Sequence, residues 1–243
     1  MYSAKIDGKP TTFGTSGFLY PSNKLMYDRT TNTLWSSLTG VPVIGALAKR
    51  DLKLDFFPVE LTIWSEWLAE HPDTKVLSRV TGYYPPTFYR PETDTDSIYY
   101  SYRAATETMF PVPASDDRLY FKDEVLGLTD GDGFKAYPLA ILRELRVVND
   151  RVGEEEVVII ASAGSSSVRV YQRRGQRFAQ MPDGETVEGL PSAVVDGDGN
   201  KWTLTEDALI GNSGPSLGRV PANVSFWFGW FAFHPDTELF ERP

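Results

Sequence analysis

The protein has two histidines, and both stand in the same local pattern. His71 lies in Trp64-Ser-Glu-Trp67-Leu-Ala-Glu-His71-Pro-Asp-Thr74, and His234 in Trp227-Phe-Gly-Trp230-Phe-Ala-Phe-His234-Pro-Asp-Thr237. Imidazole titrates near neutral pH and ligates metals, so each histidine is a candidate general base or metal ligand. Metal sites seldom rest on one histidine with no second ligand close in sequence. The reading that asks least is a histidine locking a helix end, between a tryptophan-rich face and a Pro-Asp-Thr turn. Asp73 and Asp236 then cap their own turns.

A second combination could hold a ligand. Asp28 and Arg29 precede Trp35, and a cluster of Tyr99, Tyr100 and Tyr102 follows further on. A carboxylate, a guanidinium and aromatic faces can line a cleft for a sugar or another polar small molecule, the rings stacking and the charged pair orienting. A structural Asp–Arg pair beneath a tryptophan is the more economical account of the first three residues. Asp196, Asp198 and Asn200, with Asp207 further on, partly match the ligand spacing of a calcium loop, but Lys201 stands where such loops need glycine. A hairpin turn of Asp-Gly pairs accounts for the same residues. No metal or cofactor is expected. Gly164-Ser-Ser-Ser167 is too short for a phosphate loop, and no G-x-S-x-G is present.

These residues must be held by a duplicated framework. Beyond the shared signature, Tyr2, Phe13, Trp35 and Gly45 align in order with Tyr171, Phe178, Trp202 and Gly211. The spacing predicts a first unit over 1–77, a Tyr/Pro-rich connecting segment over 78–133, and a second unit over 134–243. Lys135 to Val170 has no counterpart in the first unit. It reads as a helix after Pro138, with Leu139, Leu142 and Leu145 on one face and Asn149-Asp150 ending it. Glu156-Val-Val-Ile-Ile160 reads as a buried strand beside Val168 to Tyr171. Each signature forms a short helix capped by Thr62 or Ser225, with both tryptophan pairs turned inward. The class is α+β, strand-dominated.

Composition narrows the partners. The chain of 243 residues carries a net charge of −9, which disfavours nucleic acid and anionic membranes. It holds no cysteine, which excludes a disulfide, a thiolate nucleophile and an Fe–S site. No apolar run is long enough to span a membrane, and no signal peptide opens the chain.

The runs Phe13-Gly-Thr-Ser-Gly17, Met26-Tyr-Asp-Arg29 and Thr33-Leu-Trp35-Ser36, with His71-Pro-Asp-Thr74, Lys135-Ala-Tyr-Pro138 and Val148-Asn-Asp150, are similar to the prokaryotic domain-of-unknown-function 3179 family. The resemblance spans essentially the whole chain and implies an exported, extracytoplasmic protein with no assigned activity. It also implies an Ala-Tyr-Pro helix and a strand ending in Cys-Pro-Leu-Cys ahead of Tyr2. Neither is present, and the matching place in the second unit, Ala161 to Ser165, has no cysteine. The first unit is therefore expected to be truncated, leaving an edge near Tyr2 open to self-association. The functional expectation is a non-catalytic exported binding or structural domain. The alternative is a hydrolase or redox-accessory enzyme with its site between the units.

Overall fold

The computed structural model describes residues 1–97, 99–181, 188–212 and 216–242. Its first elements are β1 (Lys5–Ile6), β2 (Lys9–Pro10), β3 (Phe13–Leu19), β4 (Lys24–Asp28), β5 (Leu34–Ser36), β6 (Pro42–Ile44) and α1 (Trp64–Glu70). A 3-10 turn at Pro86–Tyr89 and α2 (Tyr100–Ala104) follow. Then come β7 (Glu124–Asp130), β8 (Gly133–Pro138), α3 (Leu139–Leu145), β9 (Val147–Val152), β10 (Glu155–Ala161) and β11 (Val168–Gln172). The chain closes with β12 (Phe178–Gln180), β13 (Ala193–Asp196), β14 (Lys201–Leu204), β15 (Ala208–Gly211), β16 (Leu217–Gly218), β17 (Asn223–Phe226), α4 (Trp227–Phe233) and β18 (Glu238–Leu239). The architecture is strand-dominated α+β, with short helices on small sheets.

β10 is the central strand. It pairs antiparallel with β9 and β11, setting Val158 opposite Tyr171. Side chains alternate across a strand, and here both faces are covered. Val157, Ile159 and Ala161 join Leu126, Tyr137, Leu139 and Leu142 in one core. Val158 and Ile160 join Tyr171, Trp202 and Leu209 in another. α3 buries Leu139 and Leu142 as their spacing predicts, but it ends at Arg146 in the left-handed region (φ 66°). Asn149 and Asp150, expected to stop the helix, lie within β9.

Two meanders, β3-β4-β5-β6 and β12-β13-β14-β15, contain the same contacts. Trp35 Nε1 donates to Asp28 Oδ2 at 3.1 Å, and Trp202 Nε1 to Asp196 Oδ2 at 2.9 Å. Phe13 meets Trp35 edge-on at 6.0 Å, and Phe178 meets Trp202 edge-on at 5.4 Å. The hydroxyl of Tyr2 donates to the Leu38 carbonyl, and that of Tyr171 to the Thr205 carbonyl. Further on, Trp67 Nε1 donates to Thr74 Oγ1 and Trp230 Nε1 to Thr237 Oγ1, both at 2.9 Å.

The signature helices share this local geometry but not its burial. Trp227 and Trp230 are fully buried, whereas Trp64 and Trp67 are 51% and 39% exposed, against the expectation that both pairs face inward. The cause is what lies beneath them. β17 pairs with β7, and α4 packs its tryptophans on Val125 and Ala136 of the β7–β8 hairpin. Gly127 leaves room for the Trp230 ring, since a Cβ there would collide with it. No described element of residues 1–77 supplies such a hairpin to α1. Thr62 and Ser225 do not cap: the positions preceding the helices are Ile63 and Phe226, and Thr62 donates instead to Glu66 Oε2 at 2.8 Å. Residues 1–3 are paired along one side, with Tyr2 bridged to Phe56 and Ser3 N bonded to Asp55 O.

Cavity formation sets the expected cost of truncation. Trp230→Ala loses about 3–5 kcal/mol in urea titration, because its ring fills the contact between α4 and the hairpin. Trp67→Ala loses under about 1 kcal/mol, because its ring is already partly in water. Equal losses would show that the two helices are equally supported.

Candidate functional site

The residues expected to form one ligand cleft are dispersed. Asp28 and Trp35 are fully buried. Burial alone would raise the Asp28 carboxyl, but hydrogen bonds from Thr31, Trp35 and Thr30 hold it below the ordinary range. The pair is a closed structural contact and offers no free carboxylate oxygen to a ligand. Arg29 is exposed and lies over the Tyr27 ring at 5.3 Å. Asp73 is an exposed turn residue, and Tyr100 is an exposed residue of α2. Asp196 also serves an indole: the Trp202 bond, and then those from Asn200 and Asp198, keep its carboxyl low despite burial. Its Asp-Gly turn joins β13 to β14, and Asp207 lies past the other end of β14. Asp196, Asp198 and Asn200 thus share one turn, without Asp207.

Tyr99 and Tyr102 do meet a cavity. A groove of about 390 Å³ is lined by Leu19 and Ser22 of the β3–β4 turn, by Tyr99, Tyr102, Thr108, Met109 and Phe110, and by Phe228 of α4. Its lining is mainly apolar, with Ser22 and Thr108 supplying hydroxyls. α2 positions the tyrosines, and Lys122 fixes its end by donating to the carbonyls of Tyr102 and Ala105. Tyr20 touches Phe233 edge-on at 6.2 Å beside it. Of the residues anticipated from sequence for a ligand cleft, Tyr99 and Tyr102 line this groove, whereas Asp28, Arg29, Trp35 and Tyr100 do not.

His71 belongs to a different place. Its Nε2 lies 2.7 Å from Glu206 Oε1, and its ring stacks on Trp67 at 4.0 Å. Beside it is an acidic cleft of about 160 Å³, lined in part by Glu60, Glu66, Glu70, Ser167, Arg169 and Glu206. Arg169 is 4% exposed and donates to Glu60 at 2.6 Å and to Glu70 at 2.8 Å. Burial would lower its pKa, but these carboxylates raise it overall. Ser162 and Ser165 donate to Glu66, and Ser167 to Glu60, so the loop after β10 is clamped by acids from the α1 region. Glu70, His71 and Glu206 bring three ligating atoms within 4.8 Å of one another. All three groups are already engaged, Glu70 with Arg169 and His71 with Glu206. Sequence reading missed Glu60, Arg169 and the serines. The available signal was a charge at an alternating position in each apolar run, Val59-Glu-Leu61 and Val168-Arg-Val170.

His234 has no such partners. It is sandwiched between Phe134 at 4.4 Å and Trp230 at 4.3 Å. Burial, with a smaller effect from Lys53, lowers its pKa from 6.5 to about 4. Both histidines close their helix ends by donating the backbone N–H to the second tryptophan's carbonyl, but only the His71 ring faces a carboxylate.

The chain belongs to the family described as protein of unknown function (DUF3179), whose model matches residues 1–237. No curated protein and no solved structure matches it significantly. Among the described residues, no helix is long and apolar enough to cross a membrane.

Two measurements check this geometry. Glu60→Gln leaves a buried guanidinium short of its main counter-charge and costs about 3–5 kcal/mol in urea. Adding Arg169→Met to Glu60→Gln restores much of that loss, since the stranded charge is then gone. For His234, the folded pKa lies below the unfolded one, so the neutral ring's contribution is complete above pH 6.5 and is lost as pH falls toward 4. Stability followed against pH in the wild type and His234→Phe therefore diverges in that window. Parallel curves would contradict the buried neutral ring.

Proposed function

We propose that the protein is a non-catalytic binding protein of two related units, 1–77 and 134–243, whose connecting segment 78–133 completes a ligand groove between them. The observation that carries this reading is the convergence on the 390 Å³ groove of the β3–β4 turn, the tyrosine segment and α4. Its volume lies in the range of small-molecule sites, and such sites combine apolar walls with few polar groups. Rings at Tyr99, Tyr102 and Phe228 suit a flat ligand face, and hydroxyls at Ser22 and Thr108 suit its polar edge. An oligosaccharide meets both demands, and the net charge of −9 favours a neutral ligand over a polyanion. Family resemblance supports an extracytoplasmic setting, where such ligands are met.

The paired indole contacts, Trp35–Asp28 with Trp202–Asp196 and Trp67–Thr74 with Trp230–Thr237, support descent of the two units from one. The alternative is a hydrolase acting in the acidic cleft. His71 against Glu206 at 2.7 Å is what favours it, because a carboxylate orients an imidazole for proton transfer. A thiol redox role has no residue to perform it.

Isothermal titration against a panel of neutral oligosaccharides tests the binding reading. Binding in the groove is expected to weaken tenfold or more in Tyr102→Ala and Phe228→Ala, and to persist in His71→Gln. Binding lost in His71→Gln but retained in the groove variants would move the site to the acidic cleft. Release of product sugar in the same mixtures would make the protein a hydrolase.

A further inference from the structure

Two arginines act on Tyr171, and only one of them is answered by carboxylates. Arg169 is bonded to Glu60 and Glu70, which raise its pKa despite burial. Arg219, just after β16, lies over the Tyr171 ring at 5.5 Å and donates from Nη1 to the Glu206 backbone carbonyl at 3.0 Å. Its Nε is buried with no hydrogen-bond partner, and among the described residues no carboxylate bonds any part of the group. Burial holds its pKa below the ordinary arginine value, and Arg169 adds to that, although Tyr171, Glu60 and Glu206 act the other way. A desolvated cation short of bonded counter-charge is uncommon, because nothing offsets its lost hydration. The group is also held in place. Tyr171 and Arg219 form a β-bridge, and the Val220 N–H donates to the Val170 carbonyl at 2.8 Å.

Arg219 lines a cavity of about 260 Å³. Leu126, Val168, Val170 and Val224 wall it from the second half of the chain, and Val59 and Leu61 complete it. Glu60, between those two, bonds Ser167 with one carboxylate oxygen and Arg169 with the other, so contacts within the described chain hold this wall against β11. Both oxygens of Glu60 are thereby occupied, and neither serves Arg219. The volume lies just under the roughly 300–1,000 Å³ of drug-sized sites, so the ligand that fits is small.

We infer that this cavity binds a small aliphatic monocarboxylate, its carboxylate on the Arg219 guanidinium and its hydrocarbon body against the valines and leucines. The planar guanidinium matches a carboxylate, and the bond is charge-assisted on both sides. Among the described residues no aromatic side chain lines the cavity, so its walls suit a flexible or branched aliphatic body and not a flat ring. The nearby Glu60 charge and the net charge of −9 oppose a dianion such as a phosphate ester. This cavity shares no lining residue with the aromatic groove, and the inference stands whatever the groove binds.

Isothermal titration of the intact chain with hexanoate, and with hexanol as its neutral counterpart, tests the assignment. Hexanoate is expected to bind saturably at a single site, and hexanol about tenfold or more weakly, because a charge-assisted hydrogen bond separates the two. Arg219→Met brings hexanoate down to the level of the alcohol, whereas Ala222→Phe, which fills the cavity, weakens both. Should either variant fail to fold, the wild type still decides: the Arg219 Nε–H resonance in a nitrogen–proton correlation spectrum moves over the same range of hexanoate concentration as the heat. Equal binding of acid and alcohol, hexanoate binding unchanged in Arg219→Met, or the absence of a saturable heat would overturn the proposal. So would binding that survives Arg219→Met but is lost in Phe228→Ala, because the acid would then occupy the aromatic groove.

Discussion

A strand buried on both faces makes demands on everything beside it. β10 presents Val157, Ile159 and Ala161 to one core and Val158 and Ile160 to another, so neither layer can be withdrawn without exposing it. At about 25 cal/mol per Å² of apolar surface kept from water, layers on both faces are strongly favoured over one. β9 and β11 satisfy its backbone, α3 covers one side, and the β12–β16 sheet covers the other. These layers are the platform that the segment Glu60–Glu70 joins through Arg169 and the serines after β10.

Charge does the mounting. Arg169 leaves β11 within an apolar run and is almost shielded from water, where an unpaired guanidinium is costly. The carboxylates that answer it come from the other half of the chain, Glu60 before α1 and Glu70 at its end. Glu66 between them takes hydroxyls from Ser162 and Ser165. The acidic cleft is therefore first a joint between distant segments. Any chemistry at His71 and Glu206 would work at the rim of that joint. The aromatic groove differs: Lys122 lies 4.1 Å from the centre of the Tyr102 ring, but among the described residues no carboxylate lines its walls.

The two signature helices show how little a local motif decides about burial. Each places an indole on a threonine and stacks a histidine on the second tryptophan. With the β7–β8 hairpin beneath it, α4 becomes core, and its histidine loses its proton affinity to burial. Without one, α1 stays at the surface, and its histidine finds Glu206. The same sequence pattern thus yields a stabilising plug in one place and a reactive-looking rim residue in the other.

The sequence by itself determined the α+β class, the buried strand at Glu156–Ile160, the amphipathic α3, the Asp-Gly turns and the family. Each is written in short-range periodicity, turn chemistry or a contiguous motif. It also brought Tyr99 and Tyr102 forward, because tyrosines in a polar, proline-rich stretch need something to pack against. Only the tertiary structure decided that Asp28 and Trp35 close on each other, that Glu60 and Glu70 serve Arg169, and that one tryptophan pair is buried and the other not. Asp28 and Trp35 meet across one hairpin, but the other two outcomes depend on which segments meet across about a hundred residues of chain. A charged residue in an apolar run shows that a partner is needed, but its identity is fixed only when the sheets assemble.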